Sequence, residues 1–296
     1  MKFGQVDNPG AVDFTLPPDA PQTAKILAKH KSTGPFEVYI GCAKWNRTDL
    51  KGFYPRGTKD ELEYYATQFN SIELNATFYG MPKWEQVETW RNKTPEDFKF
   101  FPKVSDLITH YRRLNNVEEP IQTFSNAVSN FQEKLGMAFM QLHDNFKPKD
   151  FAKLEAALRI FPKEFPLAVE VRNAEWFEPA MLEQFCRLLE ELHMVNIVVD
   201  TAGRRDMLHM RLTSGEAFVR YVGANHPSDI DRLDDWIDRI EKWRNEGLNK
   251  LYFFVHQNIE LESPLLATHF IQKMNERFGL DLHLPAKQAA QKSMFD

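Results

Sequence analysis

Ionisable or amide side chains occur at the carboxyl ends of most β-rich runs in this sequence. The set comprises Glu73 and Asn75, Lys103, Gln141 and His143, Glu170 and Arg172, Asp200, Arg220, and His256. Carboxylates can donate or accept protons, and lysine and arginine can hold the carboxylate or phosphate group of a substrate. We therefore predict a catalytic set in which two glutamates carry out acid–base chemistry and the lysine, together with Arg172, binds an anion; its members are Glu73, Glu170, Lys103 and Asp200.

Further residues near the same strand ends are predicted to bind the substrate. Amide groups can hydrogen-bond to hydroxyls, and flat rings in the following loops can stack on a sugar or a base. The predicted binding set is Asn75, Tyr79, Gln141, Arg172, Trp176, Trp45, Arg220 and His256. Taken singly, each aromatic residue is more often a packing residue. Arg220 is the member most easily explained as a salt-bridge partner.

Other interpretations of these charges stay open. A self-satisfied lattice would set Glu73, Glu170 and Asp200 against three cations, Lys103, Arg172 and Arg220. A divalent metal could be held by the three carboxylates with His256. The neighbouring cations would oppose it, so no metal site is predicted. A non-catalytic protein that binds a ligand through the same pocket is the further alternative, and neither the reaction nor a cofactor can be named from these residues.

The elements that must position these side chains recur at intervals of about 30 residues. Eight β-rich runs are predicted at 37–41, 71–75, 98–103, 137–142, 167–171, 195–200, 217–222 and 251–256, with helical segments between most of them. In the second run Ile72 and Leu74 lie on one face and Glu73 and Asn75 on the other. Alternating strands and helices predict an α/β fold with a parallel sheet, closed into a single (β/α)8 TIM-like barrel with its site at the carboxyl ends of the strands. An open parallel sheet is the alternative.

The bulk properties narrow the classes of function. The chain has 296 residues and a net charge of −5, with an isoelectric point of about 6.0. This balance makes nucleic acid an unlikely partner, since nucleic-acid binders are usually basic. No apolar run approaches the ~18 residues of a membrane helix, and no signal peptide is visible. We expect a cytoplasmic protein that binds a small molecule, anionic or sugar-like. Its oligomeric state is not predicted.

Three segments are predicted along the chain. Residues 1–36 form an extended, proline-containing arm with a short helix near 23–31. Residues 37–284 form the barrel. Residues 285–296 form a polar tail.

Two motifs resemble those of a known family. FNSIELNATFY at 69–79 resembles the motif FN-x-[VI]-E-[IL]-N-[SA]-TFY, and LAVEVRNAEWF at 167–177 resembles AVEFRHxSWF. Shorter matches are FYP at 53–55, TPEDFKFFPK at 94–103, ITH at 108–110 and VVDT at 198–201. On these residues the chain, from Tyr39 to about Phe278, resembles the YecE-like family, domain of unknown function 72.

The resemblance implies a TIM-like barrel and no particular activity. It places a set of positions among those the family characteristically keeps: Glu73, Asn75, Thr77, Tyr79, Lys103, Glu170, Arg172, Trp176 and Asp200. Departures cluster at the predicted pocket, in GCAKW at 41–45, QLHDNF at 141–146 and YFFVHQN at 252–258. The first of these adds a cation, Lys44. The substrate therefore need not be shared even where the scaffold is.

Overall fold

The computed structural model describes residues 4–286, which form an α/β fold with parallel strands. The strands are β1 Glu37–Cys42, β2 Ser71–Leu74, β3 Lys99–Pro102, β4 Ala138–Gln141, β5 Leu167–Glu170, β6 Val195–Thr201, β7 Glu216–Val222 and β8 Lys250–His256. All eight predicted strands are present, and no strand end differs from the predicted one by more than one residue. The second strand ends at Leu74 because Asn75–Thr77 turns into a short 3-10 helix.

Helices follow most strands, as the alternating pattern predicts. They are α1 Pro21–His30, α2 Glu61–Gln68, α3 Trp84–Asn92, α4 Glu118–Val128, α5 Phe151–Leu158, α6 Pro179–Glu191, α7 Ser228–Glu246 and α8 Ser263–Phe278. Between β6 and β7 the chain forms only a 3-10 helix, Arg205–Met207. Within residues 4–286 no helix combines the length and the apolar character needed to cross a membrane.

The strands form two sheets, so the prediction of one closed eight-stranded barrel needs correction. A curled six-stranded sheet has the order β1-β8-β7-β6-β5-β4, and β2 pairs only with β3. At the first break side chains take the place of a backbone ladder. The Asn70 amide donates to the Val38 carbonyl at 2.8 Å and accepts from the Ile40 N–H at 3.0 Å. The Tyr65 hydroxyl accepts from the Cys42 N–H at 2.7 Å and donates to the Ser71 carbonyl at 3.1 Å.

The second break lies between β3 and β4. Here the strands approach only at isolated bridges, Phe100 with Leu135 and Lys103 with Phe139. Two backbone hydrogen bonds join them, from Gly136 to Phe100 at 2.9 Å and from Val104 to Phe139 at 2.8 Å. The β2–β3 pair is therefore held beside the curled sheet by side chains on one side and by a few backbone contacts on the other.

Alternation along the strands divides the apolar residues into two cores. One face of the strands supplies an inner cluster that includes Phe101, Phe139, Phe218 and Phe254. The other face packs against the helices, and Ile72 and Leu74 belong to this outer core, as predicted. Because the inner cluster fills the concave side of the sheet, the charged side chains of the inner face lie at the carboxyl ends of the strands.

The segment before β1 packs along α7. The carboxylate of Asp19 accepts hydrogen bonds from Arg239 at 2.5 Å, Lys242 at 2.6 Å and the Trp243 indole at 3.0 Å. The predicted helix of this segment is present as α1. Of the predicted tail, residues 287–296 lie outside the described residues.

Candidate functional site

Glu73 lies at the centre of a buried hydrogen-bond network. Its neighbours Ile72 and Leu74 point outward to the helices, so the alternation of β2 turns Glu73 inward, where it is fully buried. Arg220 donates to both carboxylate oxygens, from Nε at 2.8 Å and from Nη2 at 2.9 Å. The Asn75 amide and the His256 ring each lie 2.9 Å from the same carboxylate. Every strong acceptor position of Glu73 is therefore occupied.

Arg220 also reaches the second buried carboxylate. Its Nη1 donates to Glu170 Oε2 at 2.6 Å. The other oxygen of Glu170 accepts from Arg172 Nε at 2.6 Å and from the Gln141 amide at 2.9 Å. Arg220 of β7 thus contacts residues of β2, β5 and β8, and Gln141 of β4 joins the network through Glu170. Arg220, which the sequence suggests is an ordinary salt-bridge partner, therefore connects the two buried carboxylates.

Lys103 completes the network from the end of β3. Its Nζ donates to Gln141 Oε1 at 2.8 Å and lies 4.0 Å from the centre of the Phe78 ring. The side chain is buried, with 7% of the residue exposed. Among the described residues no carboxylate oxygen lies within 4 Å of this nitrogen, which distinguishes it from Arg172 and Arg220. We call Glu73, Lys103, Glu170, Arg172 and Arg220 the charged ring.

The surroundings of the ring lower the pKa values of Glu73, Glu170 and Lys103. Burial alone would raise the pKa of each carboxyl group, but Arg220 and His256 together outweigh it and hold the pKa of Glu73 well below its usual range. Arg220 and Arg172 likewise lower the pKa of Glu170 to about 2. Burial, with Arg220 beside it, lowers the pKa of Lys103 to about 7. Both carboxylates are therefore charged at neutral pH, while Lys103 changes its charge there.

Asp200 does not join the charged ring. Val195, Ile197 and Val199 of β6 face the inner cluster, so the alternation turns Asp200 outward to the helix layer. There it is fully buried and paired with Arg205, with Arg232 at 3.0 Å and with the Trp236 indole at 2.9 Å. The predicted lattice of Glu73, Glu170 and Asp200 against three cations is therefore not observed. The ring contains two carboxylates, and Arg172 also lies 3.9 Å from a third, Asp144.

The predicted aromatic residues also divide into one that lies away from the charged ring and two that line a cavity. Trp176 is fully buried, its indole N–H donates to the Phe146 carbonyl at 2.8 Å, and its ring packs against Phe146 and Phe185. This is a packing environment away from the charged ring. Trp45 and Tyr79, in contrast, line an open cavity, and Tyr79 is 79% exposed.

That cavity has a volume of about 480 Å³ and lies over one side of the ring. Glu73, Arg220, His256 and Asn75 form its polar part, and Trp45 and Tyr79 form aromatic walls. Volumes of 300–1,000 Å³ are usual for small-molecule sites. Six of the twelve predicted residues therefore line this cavity, and Lys103, Glu170, Arg172 and Gln141 are connected to it through the hydrogen bonds of the ring.

Sequence reasoning assigned no role in the site to two residues of this region. Phe78 covers the ammonium group of Lys103. It stands in the 69–79 motif, yet no spacing indicates that its ring would lie there. His110 contacts Phe78, with ring centres 5.0 Å apart, and His143, with ring centres 5.1 Å apart. Burial, with His143 and Lys103 nearby, lowers the pKa of His110 to about 4, so His110 is neutral near pH 7.

The four residues considered for a metal do not converge. Asp200 faces α7, and Arg220 stands between Glu73 and Glu170. Within residues 4–286 no three side chains of histidine, cysteine, aspartate or glutamate form a cluster suited to a metal ion.

Comparison with known proteins identifies the family. The family model described as "Protein of unknown function DUF72" matches residues 39–291, and the chain belongs to this family, which confirms the resemblance noted in the sequence. The chain is 27% identical over 253 residues to the UPF0759 protein YecE of Escherichia coli K12, covering 78% of this chain and 90% of YecE. It is 29% identical over 241 residues to the UPF0759 protein YunF of Bacillus subtilis, covering 75% of this chain and 80% of YunF.

Solved structures of the family share the fold. A DUF72 family protein from Thermotoga maritima superposes with a TM-score of 0.67 at 24% identity, covering 81% of this chain and 99% of that protein. A DUF72 family protein from Enterococcus faecalis superposes with a TM-score of 0.67 at 20% identity, covering 83% of this chain and 99% of that protein. At these identities the likeness concerns the fold alone.

Proposed function

We propose that this DUF72 protein is an enzyme that binds a small anionic molecule at the carboxyl ends of its strands and transfers a proton through Lys103. The observation that carries the proposal is that the buried Lys103 has no carboxylate oxygen within 4 Å among the described residues, whereas Arg172 and Arg220 are paired with Glu73, Glu170 and Asp144. A buried excess cation is costly unless something compensates it. A phosphate or carboxylate group of a ligand would supply the missing negative charge.

Lys103 is the residue of the ring best suited to proton transfer. A general acid or base works best when its pKa lies near the working pH, and the pKa of Lys103 is lowered by burial to about 7. In this proposal Glu73 and Glu170 remain ionised, because Arg220 holds their pKa values low. Their task is to hold Arg220 in place rather than to exchange protons.

The cavity supports a substrate that is polar as well as anionic. The rings of Trp45 and Tyr79 can stack against a sugar or a base. Asn75 and His256 line the same cavity and can hydrogen-bond to hydroxyl groups. Sugar phosphates combine these features and are the substrate class we propose.

Binding is tested by thermal unfolding with inorganic phosphate, ribose 5-phosphate and ribose. We expect ribose 5-phosphate to raise the melting temperature most. The variant Trp45→Ala should lose this response. The matched control is Trp84→Ala, because Trp84 is 55% exposed at the start of α3 and does not line the cavity. Equal responses of the two variants, or no stabilisation of the wild type by any phosphorylated compound, would contradict the proposal.

Catalysis is tested by following a panel of sugar phosphates by NMR in the presence of the protein. We expect the wild type to consume a member of the panel and Lys103→Met to leave it unchanged. A non-catalytic binding protein is the second candidate, and one observation favours it. All oxygens of Glu73 and Glu170 already accept hydrogen bonds within the ring. Stabilisation by a phosphorylated compound without any consumption would support this second candidate.

A further inference from the structure

Lys103 differs from the buried arginines of the described chain in having no carboxylate partner. Buried arginines are paired with carboxylates: Arg211 with Glu183 and Glu190, Arg220 with Glu73 and Glu170, and Arg232 with Asp200 and Asp229. Only the two buried lysines, Lys103 and Lys134, have no carboxylate partner among residues 4–286. They therefore form a natural pair for comparison.

The two lysines differ in their hydrogen bonds. The ammonium of Lys134 has three oxygen acceptors, the Arg91 carbonyl at 2.7 Å, the Thr94 carbonyl at 2.7 Å and the Thr94 hydroxyl at 3.4 Å. This geometry suits a structural cation. Lys103 has a single oxygen acceptor, Gln141 Oε1 at 2.8 Å. The protonated form of Lys103 is therefore poorly supported by its surroundings.

Two other kinds of group surround Lys103: aromatic rings, whose faces attract an ammonium group, and arginines, which disfavour it. The rings of Phe78 and Phe139 lie 4.0 and 6.0 Å from Nζ. Arg220 and Arg172 are close enough to oppose a further positive charge. A lysine that is desolvated in an apolar pocket or placed beside other cations is an activated nucleophile, because its nitrogen keeps a free lone pair at neutral pH.

We infer that Lys103 forms a Schiff base with the carbonyl carbon of an anionic aldehyde or ketone bound over the charged ring. The inference rests on the proposed function, since the anionic group is what brings the substrate to Arg172 and Arg220. The lone pair of Nζ attacks the carbonyl carbon, the C–N bond forms, and the carbonyl electrons move to oxygen. Both hydrogens of the neutral amine leave with that oxygen as water, so that amine and carbonyl give imine and water with no oxidant or reductant.

Phe78 controls access to the nitrogen. Its backbone carbonyl accepts from the Asp106 N–H at 2.9 Å, and the neighbouring Thr77 hydroxyl donates to the Lys103 carbonyl at 2.7 Å. The backbone of this loop is thus tied to the end of β3, while the Phe78 ring is only partly buried. A substrate carbonyl would reach Nζ by displacing this ring.

The experiment is reductive trapping with glyceraldehyde 3-phosphate and borohydride at pH 7, followed by peptide mass spectrometry. We expect an adduct at Lys103 that forms at least ten times faster than adducts at exposed lysines such as Lys51. At pH 7 about half of Lys103 is neutral, given its pKa of about 7, whereas an ordinary lysine is neutral in roughly 1 of 2,500 molecules. Phe78→Ala should speed trapping several-fold, and Lys134 should remain unlabelled in both proteins.

Each result is decisive for one of the two proposals. Labelling of exposed lysines with none at Lys103, while ribose 5-phosphate still stabilises the protein, would overturn the nucleophile and leave the proposed function standing. Failure of every phosphorylated compound to stabilise the wild type would overturn the proposed function. Trapping is read on the wild-type protein, so the outcome does not depend on whether a Lys103 variant folds.

Discussion

Replacing Arg220 tests whether one residue holds the site together. Arg220→Met keeps much of the side-chain volume but removes the cation that stands between Glu73 and Glu170. Both carboxylates would stay buried, at 0% and 1% exposure. Glu170 would keep Arg172, and Glu73 would keep Asn75 and His256. In the variant the two buried carboxylates therefore keep only some of their hydrogen-bonding and ion-pair partners.

Two independent estimates of the cost agree. Removing one partner of a buried ion pair typically destabilises a protein by about 3–5 kcal/mol. The pKa of Glu170 is lowered from about 4.5 to about 2, which corresponds to about 3 kcal/mol of favourable interaction, shared between Arg220 and Arg172. We expect Arg220→Met to lower the free energy of unfolding by about 3–5 kcal/mol.

The assay is urea unfolding at pH 7, followed by circular dichroism and fluorescence to check that the transitions coincide. Arg187→Met is the matched control, because Arg187 pairs with Glu183 at 3.0 Å but its side chain is 73% exposed. It should leave the free energy of unfolding unchanged within error. The triple variant Arg220→Met, Glu73→Gln, Glu170→Gln removes the charges together and should recover much of the loss, since unpaired charge and not lost volume is the cause.

The pH dependence gives a second check. The folded-state pKa of Glu170 is below its unfolded value, so the stabilisation by its partners is present above about pH 4.5 and is lost as the pH falls toward 2. In Arg220→Met this acid-dependent loss should be smaller than in the wild type. A loss of less than about 1 kcal/mol at pH 7, or a triple variant as unstable as the single one, would refute this account of the ring.

Three further predictions concern other parts of the molecule. Lys103→Met should raise the free energy of unfolding at pH 6 by on the order of 1–3 kcal/mol. Because burial lowers the pKa of Lys103 to about 7, the wild type becomes more stable between pH 7 and 10, so the advantage of the variant should shrink over that range. A difference in urea unfolding that does not change with pH would contradict this prediction. Asp200→Asn should lower the free energy of unfolding in urea by about 3–5 kcal/mol, as for any broken buried ion pair. The variant should still be stabilised by ribose 5-phosphate, and loss of that thermal shift would place Asp200 in the site. Gly41→Ala should lower the melting temperature, because the added Cβ would overlap the Ser71 carbonyl between β1 and β2. The control Gly80→Ala should leave the melting temperature unchanged, because no atom lies within 4 Å of the position of its Cβ. Equal melting temperatures for the two variants would show that β1 and β2 are not in close contact.

Much of the scaffold could be predicted from local pattern. The alternation in β2 is sufficient to turn Glu73 inward and Ile72 outward, because successive side chains of a strand point to opposite faces. The recurrence of strand and helix predicts parallel strands whose carboxyl ends meet at one edge. Lys103, Glu170 and Arg220 could be assigned to that edge for this reason alone. The prediction of a closed barrel was only partly correct, because whether neighbouring strands complete a ladder depends on contacts such as those of Asn70 and Tyr65.

The identity of the ion pairs required the tertiary structure. Arg220 lies 147 residues from Glu73 and 50 from Glu170 along the chain, and no local spacing connects them. Asp200 lies near the end of its strand as Glu170 does, yet every residue of β6 is buried, so the sequence of this strand does not show which face Asp200 takes. Trp45 and Trp176 both follow strands, but only the packing of their loops decides which ring lines the cavity. Sequence periodicity determines which side of its own strand a residue occupies, whereas its partners depend on how distant strands approach, and that distance is set by the packing of the whole core.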